Sequence, residues 1–222
     1  MAIYDISGTL VGASPLLQSN KAHQHPSDPL NRLRSPLSKK GTKSEQDHMS
    51  LARIDFVSSV HWLNEDDGDV SILPNGHVEI EGFARPYIPG DMLRASLKES
   101  SRALKNKKGA GFDRGVQIVE DFELHYDGPK DCNGMWEAGF FQNDGACRNG
   151  GKLVWITRGR IPTGWSIDFN LQLDSSQLEV DDLRLMIEAA GRYIGVGSWR
   201  PSKGGRFGRY VLDRFETVEV KD

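Results

Sequence analysis

A chain of 222 residues with 28 lysines and arginines against 31 aspartates and glutamates carries a net charge of only −3, which excludes a protein that coats nucleic acid by bulk charge and makes any such binding local. At 37% hydrophobic and 27% charged residues the composition is globular, and we expect a single domain over 1–222 in the cytoplasm. No apolar run approaches the roughly 20 residues that span a bilayer, and MAIYDISGTLVGASPLL has no charged segment ahead of an apolar one, so neither a membrane partner nor a signal peptide is expected.

The first element is IYDISGTL, residues 3–10, whose alternation predicts a half-buried strand. QSNKAHQHPSDPLNRLRSPLSKKGTK, 18–43, is proline-bearing, basic and aperiodic, and reads as an irregular basic arm or loop. Thr42 with Glu45 forms a capping-box pattern ahead of Met49, Ala52, Ile54, Val57 and Val60 at helical spacing, predicting the first helix up to Trp62. The acidic stretch with Asp66, Asp67 and Asp69 ends it, and its carboxylates either hold a metal or form an exposed acidic loop. Within the insertion 64–88, VSILPNGHVEIEG predicts a hairpin turning at Asn75-Gly76.

Pro89-Gly90-Asp91 opens a second helix, with Met92, Leu93, Ser96, Leu97, Ser100 and Leu104 on one face. Arg94, Lys98, Arg102 and Lys105 load the other, as a phosphate-facing surface or a solvated one. GVQIVEDFELHYDGP predicts a strand, 129–151 an irregular insertion, and KLVWITRGRIPTGWSIDFNLQLD two strands broken at residues 159–164. A helix starts at Glu179 with Leu183, Met186, Ile187 and Ala190 on one face, and RYVLDRFETVEV closes the chain as a strand. The order is strand, helix, hairpin, helix, strand, strand, strand, helix, strand, and with the hairpin region set aside it fits a β-α-β-β-α-β core. The fold class expected is α+β, a ferredoxin-like or RNA-recognition-motif-like core with long insertions and a glycine-rich C-terminal loop.

That loop, GVGSWRPSKGGRFGRY over 195–210, gathers five glycines and four cations. Gly195, Gly197, Gly204, Gly205 and Gly208 permit positive φ and close backbone approach to a ligand. Arg200, Lys203, Arg206 and Arg209 supply matching charge, and Trp199, Phe207 and Tyr210 supply flat faces, the last two as candidates for the core. Arg158 and Arg160 extend the cationic track. Two cofactor motifs fail: Gly145 to Gly150 puts Lys152 out of register for a phosphate loop, and GVGSWR lacks the third glycine of a dinucleotide fingerprint and follows a helix. No cofactor is expected. Cys132 and Cys147 cannot alone complete a zinc site and lack redox-pair spacing, leaving one disulfide or free thiols.

The Pro89-Gly90-Asp91-Met92-Leu93-Arg94 turn into a basic helix, and the G-x-G…GRFGR loop before the last strand, resemble the CRISPR-associated RAMP (repeat-associated mysterious protein) superfamily. With SPLLQSN at 14–20 and TKSEQDHMSLARIDF, the chain is also similar to uncharacterised RAMP-like proteins of tailed phages. The resemblance implies a modified RNA-recognition-motif fold, single-stranded RNA or DNA as ligand, and homo-oligomeric assembly side by side along the strand. On that reading Arg94, Lys98 and Arg102 neutralise phosphates, the 195–209 loop wraps the backbone, Trp199 stacks a base, and the protein is not an enzyme. Two alternatives stand beside it. One is a protein-interaction module without nucleic acid. The other is a metal-independent endoribonuclease of the kind found among RAMP-like proteins, with His61 or His125 moving protons while His23, His25, His48 and His77 lie in arm, helix and turn.

Overall fold

The computed structural model describes residues 2–64, 68–104, 109–149 and 152–220. Asp66, Asp67, Lys105, Gly150 and Gly151 lie outside the described residues, as do the side chains of Cys147 and Lys152. In chain order the elements begin β1 (Ile3–Gly12), β2 (Leu16–Leu17), α1 (Pro29–Lys39), α2 (Glu45–Ser59), β3 (Asp69–Ile72) and β4 (Val78–Glu81). They continue β5 (Tyr87–Ile88), α3 (Gly90–Ala103), α4 (Gly109–Gly115), β6 (Val116–Gln117), β7 (Phe122–Glu123) and α5 (Cys132–Glu137). The last are β8 (Phe141–Asn149), β9 (Lys152–Ile161), β10 (Ser166–Asp174), α6 (Val180–Ala189) and β11 (Tyr210–Val220). They form two compact units, one of Met1–Leu16, Tyr87–Asp127 and Pro162–Asp222, the other of Leu17–Pro86 and Gly128–Ile161.

The first unit is α+β, with a sheet ordered β11-β1-β10-β6 and every neighbouring pair antiparallel. Taking β1, α3, β6, β10, α6 and β11 as the six elements in turn, fourth, first, third and second strands lie side by side, which is the ferredoxin-like order expected from the sequence. Alternation decides which face is core. Ile6 and Leu10 of β1 and Ile167, Phe169, Leu171 and Leu173 of β10 are buried, and they register across the pair as Ile6 with Leu171 and Leu10 with Ile167. Leu93 and Leu97 of α3 and Ile187 of α6 close on Leu10 and Phe169 from that side. The segment 115–127 departs from the single strand expected. It holds α4's last residue and two short strands, β6 pairing β10 and β7 pairing β5, and between them Asp121 accepts from Gly90 N–H at 2.8 Å.

The second unit packs α2 on the β8–β9 hairpin, with Phe56 edge-on to Trp136 at 5.5 Å and Trp136 stacked on Phe141 at 4.5 Å. The Asn75-Gly76 hairpin forms as expected, with Gly76 at φ 83°. Three other readings differ. The stretch 18–43 contains α1: Asp28 caps it by accepting from Leu30 and Asn31 N–H, Pro29 occupies the first turn where no amide bond is lost, and Leu30 is buried. The capping box at the start of α2 is Ser44 with Asp47, two residues beyond the pair expected at Thr42 and Glu45. Residues 129–151 hold α5, capped by Asp131, and β8. Asp47 bonds Lys40 and the Ser44 amide, which holds its carboxyl down to about 2. Ser44→Ala removes one half of the box and is expected to cost about 1 kcal/mol, read as a melting temperature lower by roughly 2–4 °C.

Candidate nucleic-acid interface

The loop between α6 and β11 begins with a π-helical turn, Ala190–Ile194, packed against α3 and the start of β11, where Gly191 lies on Tyr210; Gly195 ends it at φ 74°. From there the loop is built on itself. Val196 N–H donates to Gly208 O at 2.9 Å, Phe207 N–H to Trp199 O at 3.1 Å, and Gly208 N–H to Pro15 O at 2.8 Å. A Cβ on Gly205 would overlap the Trp199 carbonyl and one on Gly208 the Val196 carbonyl. At these two positions glycine is required by the loop's own backbone, a different reason from the ligand approach expected from the sequence. Ser96 Oγ of α3 donates to Gly195 O at 2.9 Å and fastens the loop's root. Phe207 and Tyr210 are buried, and burial pushes the Tyr210 phenol above its usual range.

Inside this frame the cations divide. Arg200 donates to Glu99 of α3 at 3.3 Å and to Gly197 O at 3.3 Å, so it clamps loop to helix. Arg209 donates to Arg192 O, and its own N–H donates to Ser14 Oγ at 2.9 Å. Lys203 and Arg206 are exposed, with the Arg206 guanidinium 5.4 Å from the Phe207 ring centre. On α3, Arg94 donates to Val116 O at 2.6 Å and lies over the Phe112 ring, and Lys98 pairs with Asp113 at 2.7 Å. Asp113 thus offsets one of these two charges, and only Arg102 on this helix face is exposed without a described partner. Arg158 and Arg160 belong to β9 in the second unit. Arg158 is 8% exposed with its charge acting on Asp55, and Arg160 is half-buried.

Trp199 stands apart. It is 43% exposed and held at φ 49°, a left-handed conformation that a bulky residue adopts at a cost of about 1–3 kcal/mol. Among the described residues, the N–H groups of Gly197, Ser198 and Trp199 have no acceptor, so a run of donors lies beside the exposed indole. The open face of the sheet is unlike this: Asp5, Ser7, Thr9, Asp168, Asn170, Gln172, Arg214 and Glu216 populate it, with Arg214 paired to Asp168 and to Glu216 at 3.5 Å each and no aromatic ring among those strands' outward residues. A base has nothing to stack on there, and the Arg214 guanidinium is already held by acids.

Among the described residues no group of three or more His, Cys, Asp or Glu is placed to hold a metal, and no helix is long and apolar enough to cross a membrane. Cys132 is buried, and burial pushes its thiol up to about 12, which leaves it unreactive. His125 joins Ser166 through its backbone, and His61 takes Gln18 Oε1 at its amide.

No family model and no curated protein matches the chain. Among solved structures it is similar to a chain of the type III-B Cmr-beta complex bound to cognate target RNA, at 11% identity over 98% of this chain with TM-score 0.46. It spans 61% of that chain's length. It is also similar to Cmr6 from Pyrococcus furiosus, at 13% identity over 96% of this chain and 99% of the other with TM-score 0.37. The fold assignment rests on the strand order and pairing of the first unit.

Proposed function

We propose that the chain binds single-stranded nucleic acid, without cutting it, through the loop between α6 and β11, and that copies assemble side by side along the strand. The observation that carries this is Trp199: an exposed aromatic in a costly backbone conformation, next to amides without acceptors and the exposed Lys203 and Arg206. Stacking reads any base, and amides with cations read any phosphate, so the geometry suits a strand of any sequence. The RAMP resemblance of the same residues points the same way. For assembly, β11 is the outer strand of its sheet among the described residues, and beside that edge Val211 and Val218 are 53% and 66% exposed on the outward face.

Lys203→Ala with Arg206→Ala is expected to weaken a fluorescent oligonucleotide and to lower the salt slope by roughly 1 to 1.5, since each phosphate contact on a single strand contributes about 0.7. Unchanged affinity and slope in that variant sink the proposal. RNA and DNA versions of the oligonucleotide, each checked for intact length after incubation, assign the strand type and test the absence of cleavage.

A further inference from the structure

The second unit holds a groove of its own. A cavity of about 560 Å³ opens between α1, α2 and β9, within the roughly 300–1,000 Å³ typical of small-ligand sites. Trp155 of β9 forms one wall and is 67% exposed, the most exposed tryptophan among the described residues. An indole left in water beside a cavity retains a large apolar face to bury on a flat partner.

The polar groups around it are specific. Thr157 Oγ1 donates to Asn143 Oδ1 at 2.8 Å, which holds the amide at the groove's lining and leaves its Nδ2 donors without an acceptor among the described residues. On the opposite wall Arg34 bonds the Asp55 carboxylate, so that acid is already neutralised. Lys43 remains, held at the rim by donating to Lys40 O at 2.8 Å, with His48 beside it. The excess charge is therefore positive. A flat hydrophobic wall, an amide edge and a rim cation together match one class of small anion: an aromatic base joined to a phosphate.

We propose that this groove binds one nucleotide, its base laid on Trp155, the base edge bonded by Asn143 and its phosphate facing Lys43. The site lies in the second unit and stands or falls independently of the loop in the first. Its ligand is either a free nucleotide or one residue of a strand, and the two are separable by experiment.

The full chain is titrated with adenosine 5′-monophosphate, with adenosine, and with a short oligoadenylate by isothermal titration calorimetry. The wild type should show saturable binding of the monophosphate, and Trp155→Ala should bind it about tenfold or more weakly. Because Trp155 is exposed, its alanine variant keeps the wild-type melting temperature, which separates lost binding from lost folding. A gain for the oligomer over the monophosphate assigns the strand as source; equal binding assigns the free nucleotide. Absence of saturable binding, equal binding by Trp155→Ala, or adenosine binding as tightly as its monophosphate overturns the proposal.

Discussion

Gly208→Ala is expected to lower the melting temperature by roughly 5 to 15 °C, from a cost of about 2 to 4 kcal/mol at 2–4 °C per kcal/mol. The added Cβ meets two penalties at once. Gly208 sits at φ 70°, which an L side chain adopts at a cost of about 1–2 kcal/mol, and the methyl group falls on the Val196 carbonyl, which is backbone and cannot swing aside. Relief requires opening the Val196–Gly208 pairing, and with it the turn that holds Trp199. Oligonucleotide binding is therefore lost along with stability. Gly204→Ala is the matched control. It has φ 75° and nothing within 4 Å of the new Cβ, so it carries the conformational cost alone, about 1 kcal/mol, and leaves binding intact. Calorimetric melts of the two variants side by side measure the backbone contact by difference. Equal melting temperatures would show that the loop does not close on itself.

Those glycines mark how far the sequence could be read. The strand order of the first unit was legible because β1 and β10 alternate cleanly and α3 and α6 show one apolar face each, with Leu93 and Leu97 or Leu183, Met186 and Ile187 in register, whereas β11 is exposed along most of its length and does not alternate. The loop was legible as unusual, but the partners of its cations were not. Glu99 and Asp113 lie 101 and 15 residues from Arg200 and Lys98, and composition treats a clamped guanidinium and an exposed one alike. Helix α1 was hidden because its prolines read as breakers, although Asp28-Pro29 is a start signal at N-cap and first turn. Trp155 in LVWITRGR shares parity with Thr157, which places the two on one side of β9, but burial along 155–159 does not alternate, so the pattern alone does not mark Trp155 as exposed. The second unit is the harder case, since it is assembled from two separate stretches of chain, and no local pattern brings Arg34 to Asp55 across 21 residues.

That pair gives the second large effect. Arg34→Ala is expected to destabilise the chain by about 2 to 4 kcal/mol at neutral pH, somewhat less than the loss of one partner from a fully buried pair because Arg34 itself reaches solvent. Asp55 is 8% exposed, and burial already raises its carboxyl above the ordinary 3.8, with Arg34 and then Arg158 opposing. Removing Arg34 takes away the larger opposition, and the folded-state value rises further. A carboxyl that holds its proton more tightly folded than unfolded binds more protons in the native state between the two values, so stability falls as pH rises through the folded value. The variant's deficit should accordingly be larger at pH 7 than at pH 5, and denaturant melts at the two values read it directly. Adding Asp55→Asn to Arg34→Ala removes the titrating group while keeping its shape. The double variant is then more stable than Arg34→Ala alone at pH 7, and its difference from wild type loses most of that pH dependence. A deficit equal at both pH values, unchanged by Asp55→Asn, would mean that Arg34 contributes packing of its stem between α1 and α2 and that Asp55 is carried by Arg158 and the Thr157 backbone.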